Sequence, residues 1–345
     1  MKAIRHRTGL RTAFYLFTLV VLIYVFVFMG TPYIVYQPGS ASEVAPMIKV
    51  ENGDEDEKGT FMMTTVSASY ANVALLVASA FNSNSEVVAK ETRLGDKSEE
   101  EYAAVQVFNM DSSQSYAVQA AYHAAGIPFE NKPDYLFVYS VPEEGNRIQF
   151  QPGDRILTVA GQGIPDAEAL TKLLAGRKIG DTVAITLKRG SKELQEDVKL
   201  IEIKDAESGA SRPGLGVIIA AVQKVEAKEA GKEVSFVATN VGGPSAGLMF
   251  TMEIYSQLTP GDLTKGYRVA GTGTIDPEGK VGPIGGVKHK IVAADHEKAE
   301  IFFVPIDNYL EAKTKADQIG TAIKLVPVST LQEALDYMEG LPVKP

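Results

Sequence analysis

The chain contains no cysteine, so disulfides and thiolate metal sites are excluded outright. Histidine is also scarce, with four in 345 residues, and His123 has no partner cluster around it, so no metal is expected. No Gly-x-x-x-x-Gly-Lys-Ser/Thr phosphate loop occurs anywhere, and no cofactor is implied. Excess positive charge is missing as well: the net charge of −9 argues against nucleic acid as a partner. No low-complexity block dominates. With 45% hydrophobic and 8% aromatic residues, the bulk reads as globular, and the length suggests two or three domains.

Long apolar runs are absent too, with one exception. Lys2, Arg5, Arg7 and Arg11 precede a run from Ala13 to Met29 whose only polar side chains are Thr18 and two tyrosines. Adding Gly30 to Val35 brings it to the roughly 20 residues that cross a bilayer. Residues 1–36 therefore read as a cytoplasmic basic flank and an uncleaved transmembrane helix. The positive flank places the remainder outside the cell, with Tyr33 and Tyr36 at the outer interface.

From Gln37 the composition becomes that of a soluble α+β protein. Ile48 to Val50 and Phe61 to Val66 read as strands, flanking a loop from Asn52 to Gly59, and Asn72 to Phe81 as a helix or a buried strand. Met110 to Ala125 carries alanines at helical spacing, opened by Asp111-Ser-Ser-Gln114 as a capping box. Residues 126–207 have a different rhythm: short strands at Tyr135 to Val141, Arg155 to Val159, Thr182 to Arg189 and Leu194 to Leu200, around one helix, Asp166 to Ala175. Ser208 to Gly214 reads as a linker. Leu215 to Ala220 and Val234 to Ala238 read as buried strands, and the rest alternates helix and strand to a last helix capped by Thr330.

The stretch around which the chain is organised is Val241-Gly-Gly-Pro-Ser-Ala-Gly-Leu248, followed by Val281-Gly-Pro-Ile-Gly-Gly-Val-Lys288. A serine hydroxyl is a weak nucleophile until a neighbouring base takes its proton. A lysine serves if burial lowers its pKa. The glycines permit a tight turn, and Pro244 suits the first turn of a helix from about Ala246 to Leu258. Free N–H groups at that helix mouth would hold an oxyanion. The residues alone leave alternatives open. In one reading Ser245 simply caps a helix and Lys288 is a surface cation. Gly243-x-Ser245-x-Gly247 also fits the nucleophile elbow of a Ser–His esterase, with His289 or His296 as partner.

Gly243 to Gly247, Thr272 to Ile275 and Gly279 to Ala294 together resemble the proteolytic domain of Lon proteases. That resemblance implies a Ser–Lys dyad, placed on Ser245 and Lys288, with Thr272, Gly243 and Ala246 in support. The family often has Asp-Gly where this chain has Gly242-Gly243. Gln151-Pro-Gly-Asp-Arg-Ile156 resembles the Pro-Gly-Asp-x-Ile signature of PDZ domains, which implies a peptide added as a strand, with Leu136 and Val138 as groove residues. The expected architecture is a Lon-type domain split into residues 37–125 and 208–345, with a PDZ-like domain inserted between. The expected function is that of the PDZ-containing Lon-like proteases of Gram-positive bacteria: an ATP-independent endopeptidase outside the membrane, acting on peptides or flexible segments. Assembly into a homo-oligomer is left open. A non-catalytic scaffold binding peptide termini is the competing reading.

Overall fold

The computed structural model describes residues 2–54, 58–204, 209–237 and 241–344, with side chains of the first helix from Thr12 onward. The expected side-chain roles of Lys2, Arg5, Arg7 and Arg11 therefore lie outside the described residues. So do parts of the expected Asn52–Gly59 loop, of the Ser208 linker and of the Val234–Ala238 strand.

Helix α1 (Lys2–Phe28) leads into strand β1 (Gly30–Glu43). This corrects the transmembrane expectation, because Gly30 to Val35 belong to the strand and do not extend the helix. The apolar helical part left, residues 13–28, is about 24 Å long against a core of about 30 Å. Among the described residues no helix is long and apolar enough to cross a membrane.

Strand β1 is followed by β2 (Ile48–Val50), β3 (Thr60–Asn72), α2 (Val73–Ser79), β4 (Glu86–Ala89), α3 (Lys90–Leu94) and α4 (Glu99–Ala125). The Asn72 side chain caps α2, so the Asn72–Phe81 stretch is a helix. Helix α4 starts eleven residues before the expected Met110, because a complete capping box forms between Ser98 and Glu101.

The inserted unit comprises β5 (Phe129–Ser140), β6 (Arg155–Val159), β7 (Gln162–Gly163), α5 (Ala167–Leu174), β8 (Thr182–Arg189), β9 (Lys192–Lys199), β10 (Ile201–Lys204), β11 (Ser211–Gly214) and β12 (Ile218–Ala227). Its main sheet has the order β12-β5-β6-β8-β9. Strand β5 is buried on both faces. Leu136 and Val138 point into the unit's own core, while Tyr135 and Phe137 meet Ala104 and Phe108 of α4. The expectation that Leu136 and Val138 line a groove is thus overturned: both are fully buried, and β5 is paired with β12 on one edge and β6 on the other. The expected linker instead supplies β11, which pairs with β10.

The chain then returns through β13 (Val234–Phe236), α6 (Gly247–Leu258), β14 (Arg268–Gly271), β15 (Thr274–Ile275), β16 (Val281–Gly282), α7 (Val287–His296), β17 (Ile301–Pro305), α8 (Tyr309–Ile319), β18 (Lys324–Val328) and α9 (Leu331–Glu339). The second large sheet runs β18-β17-β14-β3-β1-β4, joining pieces from either side of the insertion. Side chains alternate across it as the strand period requires. Phe61, Met63 and Phe303 face a core shared with α4, α6 and α9, whereas Met62 and Phe302 face α7 and α8. The serine turn and α7 converge at one end of this sheet.

Candidate active site

Ser245 lies in the turn that feeds α6. Gly243 there has φ +93°, a backbone conformation that glycine adopts without strain, and its N–H donates to the Gln106 carbonyl of α4 at 2.8 Å. Ser113, one helical stretch further along α4, donates to the Pro244 carbonyl at 3.0 Å. A Cβ at Gly247 would come within 2.8 Å of Ile275 and 2.9 Å of the Ser113 hydroxyl, so no larger residue fits that close approach. The serine carbonyl accepts from the Gly273 N–H at 2.9 Å and from the Thr272 hydroxyl at 3.0 Å. The turn is therefore bonded on two sides before any substrate arrives. Ala246 is the N-cap of α6. Among the described residues, the N–H groups of Ser245 and Ala246 meet no acceptor, and both stand at the positive end of the helix dipole.

The side chain that reaches the serine is Lys290. Its Nζ lies 2.6 Å from Ser245 Oγ and 2.9 Å from Thr272 Oγ1. Lys288, the expected base, is not there. It is exposed and pairs loosely with Glu311 of α8 at 3.5 Å. Helix phase decides between them, since two residues along a helix is a rotation of about 200°. Val287, Lys290, Ile291 and Ala294 follow the i, i+3, i+4, i+7 pattern of the buried face, and Lys288 falls on the opposite one. That pattern is readable in the sequence and identifies the lysine that reaches Ser245.

Burial sets the chemistry. Lys290 is 2% exposed, and no described carboxylate pairs with it. Desolvation lowers its pKa to about 7, so a large share of the side chains carry a neutral amine at neutral pH. Thr272, fully buried, donates to the Ser245 carbonyl and is left to accept from Lys290, which fixes the amine's direction. Such a pair can take a proton from Ser245 as Oγ attacks a carbonyl.

The Ser–His arrangement does not form. His296 is exposed at the end of α7. His289 is buried but turns towards Glu86 and Tyr36, with Nε2 3.5 Å from the Glu86 carboxylate. Asp276 and Lys280 bond within their own solvated turn. Among the described residues, no group of acidic and histidine side chains could hold a metal. The dyad opens into a cavity of about 700 Å³ walled by β1, β3, α4, the serine turn and the loop before α7.

Residues 221–339 match the Lon protease (S16) C-terminal proteolytic domain. Residues 124–200 match the PDZ domain. The chain thus carries a region similar to the proteolytic domain of a serine protease family and, ahead of it, one similar to a PDZ domain. The Lon protease of Neorickettsia sennetsu is 35% identical over 100 residues, 29% of this chain and 12% of that protein. That of Vibrio parahaemolyticus is 27% identical over 220 residues, 61% of this chain and 25% of the relative. The matches therefore span a quarter or less of these curated relatives. Among solved structures, the PDZ domain of an SdrC-like protein from Listeria monocytogenes is 30% identical, covering 25% of this chain and 87% of that one, with a TM-score of 0.22.

Proposed function

We propose that this chain is a nucleotide-independent serine endopeptidase whose nucleophile is Ser245 and whose general base is Lys290. The observation that carries the reading is the 2.6 Å approach of a buried, desolvated amine to the serine hydroxyl. Ser245 Oγ attacks the peptide carbonyl carbon while its proton passes to Lys290. The oxyanion that forms faces the N–H groups of Ser245 and Ala246. Lys290 returns the proton to the departing amine as the C–N bond breaks, leaving an acyl-enzyme. Water, deprotonated by the same lysine, then hydrolyses the ester. No phosphate loop lies in this chain, so the substrates proposed are peptides and flexible segments that need no unfolding.

Docking belongs on β12 and not on β5. Strand β12 is the outer member of its sheet, with β5 on one side only and α5 beside it. An extended peptide added there would gain main-chain hydrogen bonds. We further propose that the catalytic part lies outside the cell, held on the outer face of a lipid layer by α1 without crossing it. The apolar side chains of α1 from Phe14 to Phe28 are largely exposed. Partition of the full chain into membranes, and its accessibility to an externally added protease, test this location. Sedimentation of the same protein reads whether copies assemble.

The deciding experiment is cleavage of unstructured peptides without ATP by the full chain, by Ser245→Ala and by Lys290→Ala. Turnover that both substitutions abolish in folded protein is expected. Equal turnover in all three overturns the dyad.

A further inference from the structure

In the cavity that holds the dyad, three polar side chains stand in a row: Arg93, Tyr36 and His289. The Arg93 guanidinium lies over two rings at once, 5.3 Å from the centroid of Tyr36 and 5.0 Å from that of Tyr102. Rings on both sides hold the planar group in place while leaving its N–H edge open. Among the described residues no carboxylate comes within ion-pair distance of it, although it is exposed at the cavity mouth. Next to it, the Tyr36 hydroxyl is buried without a hydrogen-bond partner. Beyond the Tyr36 ring, with centroids 6.5 Å apart, the His289 ring is 5% exposed and its Nε2 is also unbonded.

Buried polar atoms without partners are rare, and each calls for a polar group that the fold itself does not supply. Two of them have a common sense: arginine is always a donor, and a tyrosine hydroxyl offers one more. The His289 ring already faces Glu86, whose carboxylate lies 3.5 Å from Nε2. Ser245 and Lys290 line the same cavity. A peptide lying across the serine would therefore bring a side chain near its scissile bond to this row.

We propose that Arg93, with the Tyr36 hydroxyl beside it, forms a subsite that selects substrates with an acidic side chain beside the cleaved bond. A carboxylate fits there because its oxygens accept several hydrogen bonds at once, one of them charge-assisted. A lysine or an aliphatic side chain leaves the same donors empty and is disfavoured. This inference rests on the peptidase reading and deepens it.

The test uses peptides identical except for Glu, Gln or Lys at each position flanking the scissile bond, cut by the full chain. Expected is one position at which Glu exceeds Gln in kcat/KM by about tenfold or more, as a charge-assisted hydrogen bond warrants. Arg93→Gln should shrink that ratio towards one, and Arg93→Glu should reverse it in favour of Lys. Arg93 is exposed, so both substitutions leave the core intact. Turnover with no acidic preference at any position, or a preference that Arg93→Glu leaves standing, overturns the subsite while sparing the dyad. No turnover of any peptide by the unmodified chain sinks both readings.

Discussion

The two large sheets of the molecule close in different ways. In the inserted unit, β5 and β12 pair end to end, from Ile218 with Ser140 to Ala227 with Phe129. The chain leaves where it entered, and the Lys228 N–H donates to the Pro128 carbonyl at 2.9 Å. In the catalytic unit, by contrast, β14 runs parallel to β3, with Val269 opposite Phe61. That contact spans the whole insertion in sequence. A unit whose ends meet adds only a short closure to its host, and loop-closure entropy grows slowly with length. The catalytic sheet pays that closure once and gains a site drawn from both halves of the chain: α4 and β3 from before the insertion, Ser245 and Lys290 from after it.

Six substitutions probe this contrast. Ser245→Ala and Lys290→Ala should each lower peptide turnover by on the order of 10⁴, as loss of a nucleophile or its base does, while thermal unfolding of the inserted unit is unchanged. Leu136→Ala should act in reverse. It opens a cavity in the insert's own core and should cost about 2–5 kcal/mol there, read by denaturant unfolding, with the dyad geometry retained. Lys290→Met should stabilise the catalytic unit at pH 6. The lysine's folded pKa, about 7, lies below its unfolded value, so the unfolded chain binds more protons between these values. The stability this group costs at low pH is recovered as pH rises above 7. The gain on removing it should be a few kcal/mol, on the order of the shift itself, and activity of the unmodified chain should rise through pH 7.

The junction between units comes next. Asp111 of α4 accepts from the Tyr135 hydroxyl at 2.5 Å and from Arg155 at 2.8 Å, tying both insert residues to the helix that supports the serine turn. Asp111→Ala leaves the buried Tyr135 hydroxyl unpaired and should weaken the junction by about 1–3 kcal/mol, seen as faster amide exchange in β5. Smallest of all is Lys288→Ala, which should change stability by less than about 0.5 kcal/mol and activity not at all.

Much of this arrangement was legible in the residues. The turn glycines, Pro244 and Ser245 announce a tight turn into a helix, and the change of rhythm near residue 126 marks the insertion. Strands β6 and β8 coincide with their expected bounds. What escaped was orientation, which local pattern does not carry. Lys288 and Lys290 are alike in composition and differ only in helix phase. Leu136 and Val138 sit in a strand whose apolar run announces burial on both faces, so they were better read as core than as groove. Strand β12 was expected to end at Ala220 but continues to Ala227, because polar Gln223, Lys224 and Glu226 are tolerated at a sheet edge. Gly30 to Val35 are apolar enough for lipid, yet pairing with β3 and β4 claims them.

The exposed margin of β12 has a second side. A row of unpaired backbone groups accepts any strand of suitable length, including that of another copy, and such margins seed aggregation unless guarded. This one carries breaks in register between Ile218 and Ile219 and between Val222 and Gln223, and Lys224 and Glu226 lie just beyond the second. A bend and paired charges spoil a flat match between copies while leaving the stretch before them, Ile218 to Val222, accessible. If peptides dock on β12 as proposed, adjacent residues of one strand both discourage pairing between copies and receive the substrate.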